Sequence, residues 1–323
     1  MLVQFLIVIA GVMIILLLSH IIIKNSISLA AHYGLSGTFI GLTLLSIGTS
    51  IPEIMTHIIG SIDILKDPYK LNILSGLVIG TNIGSDIFQQ NFILGLLGLI
   101  ATIVVIRKNL ISQAGALIAA SLLVFVFSLG GVITRIEGGI LLLTYVAYLL
   151  YLNKSRAKEN FKAKNNLSQK DVIFSIMLIV ICFIVMAFTA DEVLNASTIL
   201  VSVLPISASF FGIILLGIAS ALPELMTSLV AMYNKRGEIS AGILIGSNVT
   251  NPLFGIGIGA LISSYTVPNV IIFFDLPVKI ATACLIFYYL WRTEDINKPE
   301  GISLIVLFIL YIIIRQWLFP VDF

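Results

Sequence analysis

The sequence predicts an all-α polytopic membrane protein, with ten transmembrane helices arranged as two inverted-topology repeats of five. Three observations carry that expectation. Of 323 residues, 59% are hydrophobic and only 11% are charged, against roughly 25% charged in soluble domains. The apolar residues come in runs of about 20, the length an α-helix needs to cross a bilayer, and not in the alternating ten-residue segments of an outer-membrane barrel. Finally, Gly48-Thr49-Ser50-Ile51-Pro52-Glu53 has an echo in Ala219-Ser220-Ala221-Leu222-Pro223-Glu224, 171 positions later. Each sets hydroxyls, a proline and a carboxylate inside an apolar run. A charge at the centre of a bilayer costs at least a few kcal/mol, so such residues are rare and mark function.

In order, the apolar segments run over about 2–23, 36–62, 73–106, 110–129 and 136–152, then 171–190, 208–233, 240–265, 270–291 and 301–318. The first has its first positive charge, Lys24, after the apolar run; a cleaved signal peptide has its basic residues before it, so 2–23 is expected to be a retained span. The third is too long for one simple crossing and is expected to be tilted, broken or extended past the bilayer. Residues 191–205, with Asp191, Glu192 and Pro205, read as an irregular link with solvated acids. Cys182 and Cys284 both fall inside apolar runs and read as small core hydrophobes.

Between the fifth and sixth spans lies Asn153 to Lys170, with six Lys and Arg. It divides the chain into a first repeat (1–152), a basic linker (153–170) and a second repeat (171–323). With both termini outside, inner loops carry 13 Lys and Arg and outer segments four, namely Lys66, Lys70, Arg135 and Arg315; Lys279 lies within a span and is not counted. By the positive-inside rule the 153–170 loop is cytoplasmic, a solvated linker or, alternatively, a lipid-binding patch. Trp291 and Trp317 suit interfacial anchors on opposite sides. The net charge of +2 is small and scattered, which argues against a nucleic-acid partner.

The halves repeat. Ile47–Thr56 on Ile218–Thr227 gives five identities in ten positions, and Gly76–Phe88 on Gly242–Phe254 gives five in thirteen. The two Pro-Glu spans are the second and the seventh, and repeats with an odd number of spans enter the membrane in opposite directions. That is the arrangement of many secondary transporters, with substrate bound near the midplane where the repeats meet.

Proline removes a backbone donor and displaces the carbonyl four residues earlier, here Gly48 and Ala219. Non-helical backbone in a membrane is tolerated where it lines a cavity or is buried in protein. Freed carbonyls and the hydroxyls of Thr49, Ser50 and Ser220 are hard oxygen ligands, and Ca²⁺ takes six to eight oxygens, often with carboxylates. Glu53 and Glu224 supply two charges, enough to balance one divalent ion; empty, they repel, so the pair favours being occupied by cations or protons. Thr81, Ser85 and Gln89 fall at i, i+4 and i+8 on one helix face, and Ser247 and Asn251 repeat the first two positions. Gly76, Gly80, Gly84, Gly242 and Gly246 read equally as a close-packing seam; Asp86, Asn82 and Asn248 weight the stretch toward an ion path.

These motif pairs resemble the alpha-1 and alpha-2 repeats of the cation/calcium antiporters, the sodium/calcium exchanger family, most specifically at Gly48–Glu53, Pro223–Glu224 and Gly246-Ser247-Asn248. The resemblance implies that Glu53 and Glu224 are shared calcium ligands, that Thr49 and Ser220 add a carbonyl or hydroxyl each, and that Ser46, Gly217 and Ser247 serve flanking monovalent sites. Ser85 belongs to the set in either register; Thr81, Gln89 and Asp86 depend on it. The chain departs from the family pattern at Ala221, where a serine is usual, and at Asn251, which is neutral. His57 reads as a satisfied polar residue near a helix end, or else as a proton partner or switch; His20 reads as structural or interfacial. The implied function is Ca²⁺ export in exchange for Na⁺ across the cell membrane, with a Ca²⁺/H⁺ (or other divalent cation/H⁺) antiporter as the alternative. The transported ions are then the partners, together with the lipid bilayer, and neither a cofactor nor an obligatory protein partner is expected. An enzyme is disfavoured: neither Gly-x-Ser-x-Gly nor His-Glu-x-x-His is present.

Overall fold

The computed structural model describes residues 1–33, 45–100, 103–104, 107–156, 167–233, 237–293 and 295–322. These residues are nearly all helical. The first half contains α1 (Leu2–His32), α2 (Leu45–Thr49), α3 (Ile51–Lys66), α4 (Leu71–Ile87), α5 (Leu94–Ile100), α6 (Arg107–Ser128) and α7 (Arg135–Arg156). The second contains α8 (Gln169–Val203), α9 (Ala208–Phe211), α10 (Ile218–Ser220), α11 (Leu222–Tyr233), α12 (Gly237–Thr250), α13 (Gly257–Ser263), α14 (Leu276–Thr293) and α15 (Lys298–Leu318). Two-residue strands β1 (Ile103–Val104), β2 (Val132–Ile133), β3 (Tyr265–Thr266) and β4 (Asp295–Ile296) pair antiparallel as β1 with β4 and β2 with β3.

Among the described residues, eight helical stretches are long and apolar enough to cross a bilayer. Of the other two expected spans, 36–62 is described only from Leu45 and is broken at Ser50, and the apolar part of α6 is the shorter Ala114–Ser128. The long third segment is one helical run, Pro68–Ile100, interrupted by a π-helical stretch at Phe88–Ile93. Similar π stretches occupy Gly212–Gly217, Asn251–Ile256 and Ile271–Asp275. Such wide turns re-aim side chains and cluster at functional sites.

The expected link at 191–205 is instead helix: α8 is unbroken for 35 residues to Val203. Asp191 and Glu192 do not break a helix, whereas the residue before a proline is pushed out of the α region. Leu204, before Pro205, is extended (φ −91°, ψ 147°) and ends α8. At 1.5 Å per residue α8 is about 50 Å long, so it reaches beyond the hydrocarbon core. Its apolar exterior residues, such as Phe174, Met177, Ile181 and Phe188, face where lipid would be. Cys182 is buried as expected, but Cys284 is exposed on the outside of α14.

The stretches that carry Gly76–Phe88 and Gly242–Phe254 form the centre: 78% of the apolar window in Pro68–Ile100 and 89% of that in Ser240–Ser263 is buried, against 17% for α8. Packing partners come in exchange-related couples. α1 lies along α8, and α6 along α14. α4 packs on the α9–Gly217 stretch while α12 packs on α2; α5 packs on α15 while α13 packs on α7. The glycines make the α4 seam possible. A Cβ on Gly80 would stand 2.3 Å from the Ser209 carbonyl oxygen, and one on Gly212 2.4 Å from that of Leu77.

Arg315 departs from the expectation of an outer-segment charge. It is wholly buried, with Nε 3.2 Å from both Asp275 oxygens and Nη2 donating to Ser209 Oγ at 2.5 Å. Tyr311 donates to the same Asp275 carboxylate at 2.9 Å, and Asp322 accepts from the Ser209 backbone N–H at 3.0 Å and from its hydroxyl. An arginine cannot be left unpaired in an apolar interior, and only a buried acid could hold it there. Trp317 is 81% and Trp291 44% exposed, as anchors should be. Part of the basic linker and Lys235 and Arg236 lie outside the described residues.

Candidate functional site between the two helix breaks

The two Pro-Glu motifs fold alike. Ser50 interrupts α2 and α3 at φ −80°, ψ 2°, and Ala221 separates α10 from α11 at φ −82°, ψ 0°. At the first break the Thr49 hydroxyl and the Ser50 N–H both donate to the Ser46 carbonyl, each at 3.2 Å. At the second, the Ser220 hydroxyl (3.1 Å) and the Ala221 N–H (3.2 Å) donate to the Gly217 carbonyl. The family resemblance assigned both carbonyls to flanking monovalent sites; here they already accept two bonds each. The prolines start the new helices, which puts Glu53 and Glu224 in the first turns of α3 and α11. A helix N-terminus carries partial positive charge and favours an anion there.

Both glutamates are completely buried and lie within electrostatic reach of each other. The hydroxyl of Ser220 lies beside Glu53 and that of Thr49 beside Glu224, so each break flanks the other's carboxylate. Ser85 donates to Glu53 Oε1 at 2.7 Å. Glu53 Oε2, both oxygens of Glu224 and the Ser50 hydroxyl have no hydrogen-bond partner among the described residues. A buried carboxylate oxygen without a partner is expensive, and four hard oxygens in this state are a donor set that suits a desolvated cation.

From Ser85 a polar chain runs across the middle of the molecule. Gln89 Nε2 donates to Ser85 at 3.0 Å, and Gln89 Oε1 accepts from Ser247 at 2.5 Å and Asn248 at 3.0 Å. Gln90 donates to Asn248 at 2.8 Å and accepts from Thr282 at 3.0 Å. Of the two registers expected for the third span, the network contains Ser85 and Gln89: Ser85 touches the carboxylate and Gln89 bridges it to Ser247, whereas Thr81 lies outside the network and donates back to the Leu77 carbonyl at 2.7 Å.

Asp86 is differently placed. Its Oδ1 accepts from Asn251 at 2.8 Å and its Oδ2 from the Lys279 ammonium at 2.5 Å, with aspartate and lysine both fully buried. Expected to lend an oxygen to an ion, Asp86 has both oxygens engaged. Sequence reading missed Lys279. The available signal was a lone lysine inside an apolar span, which must find an acid.

His57 is not at a helix end but in the body of α3, and both ring nitrogens are engaged, by Tyr265 Oη at 3.2 Å and Asn82 Nδ2 at 3.0 Å. Tyr265 also bonds Ser61 at 2.6 Å, and Asn82 donates to the Asn251 carbonyl at 2.8 Å. These bonds satisfy both nitrogens of the imidazole and link α3, α4 and the start of the Asn251 π stretch.

Two crevices flank the breaks, and α1 lines both. One passes Pro52 and Thr56 between α1 and α8 to Thr81 and Ser220. The other lies at Pro223 and Thr227 and includes His20, which is exposed.

The family description "Sodium/calcium exchanger protein" matches this chain twice, over residues 3–153 and 174–317. Relatives include the sodium/calcium exchanger MaX1 of Methanosarcina acetivorans, 26% identical with 97% of this chain and 98% of that one covered. The inner membrane protein YrbG of Escherichia coli is 24% identical, over 91% and 90%. Among solved structures, the sodium-calcium exchanger NCX_Mj soaked with sodium and no calcium superposes with a TM-score of 0.65 at 25% identity, covering 98% of this chain and 99% of that one.

Proposed function

The chain belongs to the sodium/calcium exchanger family, and we propose that it moves Ca²⁺ out of the cell against entering Na⁺ at the site between the two helix breaks. The observation that carries this reading is the pair of wholly buried carboxylates on facing breaks, with three of their four oxygens lacking hydrogen-bond partners. Two carboxylates balance one Ca²⁺, and Ca²⁺ accepts an irregular shell of oxygens. Glu53, Glu224 and Ser50 supply the free oxygens. Thr49, Ser220 and the carbonyls of Ser46 and Gly217 can join by exchanging their local bonds for the ion; Thr81, Ser85 and Ser247, with the amide of Asn251, line its surroundings.

Exchange follows from competition. The carboxylates cannot remain bare in a low dielectric, so one cation leaves favourably only as others replace it. For this to move ions across a membrane, the site must open to one side at a time. The crevices along Pro52 and Pro223 are the natural access routes, and α1 borders both. α1 and α8 pack chiefly on each other, which supports their moving as a unit against the rest. The two family matches, over 3–153 and 174–317, and the related helix couples support two inverted repeats of five spans, and the 13-to-4 bias of Lys and Arg supports a cytoplasmic 153–170 linker with both termini outside.

A second reading, coupling to H⁺, is favoured by Ala221 and Asn251, which remove an oxygen and a charge from the second half. Reconstituted protein decides: Ca²⁺ flux should follow an imposed Na⁺ gradient. Flux that ignores Na⁺ and follows a pH gradient alone would replace sodium by protons in the scheme.

A further inference from the structure

The third buried carboxylate at the site has its own cation. Asp86 acts electrostatically on both Glu53 and Glu224, and it is adjacent in sequence to Ser85, which donates to Glu53. Its Oδ2 meets Lys279 Nζ at 2.5 Å and its Oδ1 is held by Asn251 at 2.8 Å. Neither member of the pair is exposed at all. Lys279 projects from α14, and one turn later Thr282 bonds Gln90 at 3.0 Å within the same polar chain that ends on Glu53. The ammonium is therefore not a distant structural tie. It sits inside the charge constellation that an ion must balance.

We propose that Lys279 is a tethered monovalent cation that permanently occupies the place beside Asp86, and that it thereby sets the charge stoichiometry of exchange. Glu53, Glu224 and Asp86 carry three negative charges together, and Lys279 returns one. The remainder is matched by a single Ca²⁺ or by two monovalent cations. Exchange at this site then moves no net charge per cycle. Without the lysine, three monovalent cations are needed to balance the three carboxylates, and a cycle that trades all three for one Ca²⁺, leaving one carboxylate charge unmatched in the calcium-bound state, carries one net charge across the membrane. The inference rests on the exchange reading above and adds to it a determinant on α14.

The test uses full-length protein in proteoliposomes. A first arm imposes a Na⁺ or pH gradient and measures Ca²⁺ movement, and absence of any such movement in the wild type would sink the exchange reading and this inference with it. The second arm holds Na⁺ and pH equal on both sides and imposes a potassium diffusion potential with valinomycin. Wild-type protein should show no Ca²⁺ accumulation driven by potential. Lys279→Met should accumulate Ca²⁺, approaching about tenfold when the potassium ratio is tenfold, since a single transported charge works against the same potential. Asp86→Asn/Lys279→Met, which removes both charges and keeps the balance, should return to the wild-type response. Potential-driven accumulation by the wild type, or a Lys279→Met protein that transports with the wild-type indifference to potential, would overturn the proposal. If Lys279→Met does not fold, the wild type and the double variant, each first shown to move Ca²⁺ under a Na⁺ or pH gradient, still test it, because either one accumulating Ca²⁺ with potential contradicts a balanced site. A double variant that folds but moves no Ca²⁺ overturns the claim that restoring the balance restores exchange. A merely structural ion pair would change protein yield and leave charge per cycle unaltered.

Discussion

Gly84→Ala and Gly76→Ala are the same chemical change, about two α-helical turns apart on one seam, and the structure assigns them opposite outcomes. A Cβ on Gly84 would stand 2.4 Å from Ile213 Cα and 2.6 Å from its carbonyl oxygen, whereas on Gly76 the nearest atom is the Ala208 Cβ at 3.1 Å. Non-bonded carbons rest at about 3.5–4.0 Å. At Gly84 the obstacle is backbone, so α4 and the Gly212–Gly217 stretch must part by about 1 Å or more. At Gly76 a few tenths of an ångström suffice. Overpacking costs about 1–3 kcal/mol, while alanine in place of glycine returns about 1 kcal/mol of helix propensity. Gly76→Ala should thus melt at or slightly above the wild-type temperature, and Gly84→Ala several degrees below it. Gly84→Ala should also lose most Ca²⁺ flux, because the displacement carries Ser85 away from Glu53. Thermal unfolding in detergent and flux in vesicles measure both. Equal stability of the two variants would refute the reading of this seam as a contact set by backbone.

Glu53→Gln and Glu224→Gln should each abolish Ca²⁺ exchange while the protein folds with unchanged or raised thermal stability, since a neutral amide removes a buried, incompletely paired charge; labelled-calcium counterflow with a melting curve checks both. Ala221→Ser restores a hydroxyl at a position with no exposure and should lower the Na⁺ concentration needed for half-maximal exchange severalfold, read from the Na⁺ dependence of Ca²⁺ flux. His57→Ala removes one hydrogen bond from each of Tyr265 and Asn82, which keep Ser61 and the Asn251 carbonyl as partners, and should cost about 0.5–1.5 kcal/mol per bond, with the ion dependence of residual transport unchanged. Arg315→Met strands Asp275 in the interior and should destabilise by about 3–5 kcal/mol, with Asp275→Asn/Arg315→Met recovering much of the loss.

What could be read from sequence was what local chemistry dictates. A proline removes its own N–H wherever it falls, so the breaks at Ser50 and Ala221 followed from Pro52 and Pro223, and with them the placement of Glu53 and Glu224. The link expected at 191–205 failed because charge was taken as a breaker; Asp191 and Glu192 ride on α8, and Pro205 alone stops it. What stayed hidden was long-range pairing. Lys279 meets Asp86 across 193 positions and His57 meets Tyr265 across 208, and no periodicity in one segment names a partner in another. Arg315 shows the same limit: in the sequence it counted among the outer-segment charges, and only the fold brings Asp275 beneath it. The glycines were legible as either seam or ion path, and the helix serves both, its glycine edge against Ser209–Gly217 and its Ser85 edge against Glu53.

The two breaks share backbone geometry to within a few degrees, yet their side chains differ where it matters for a monovalent ion. A divalent ion placed between facing carboxylates needs both halves equally, and the halves are equal in what it needs: one glutamate each, one flanking hydroxyl each, one doubly bonded carbonyl each. In the proposed scheme the monovalent ions flank the shared site, each facing chiefly its own half. There the first half offers Ser50, with its oxygen unclaimed, and the second offers Ala221 and an Asn251 already committed to Asp86. Duplication thus preserves the shared site through symmetry and leaves the flanking positions free to diverge. Selectivity for the coupling ion is therefore expected to track substitutions at Ser50, Ala221, Asn251 and Lys279, while substitutions at Glu53 and Glu224 remove Ca²⁺ transport whatever ion drives it.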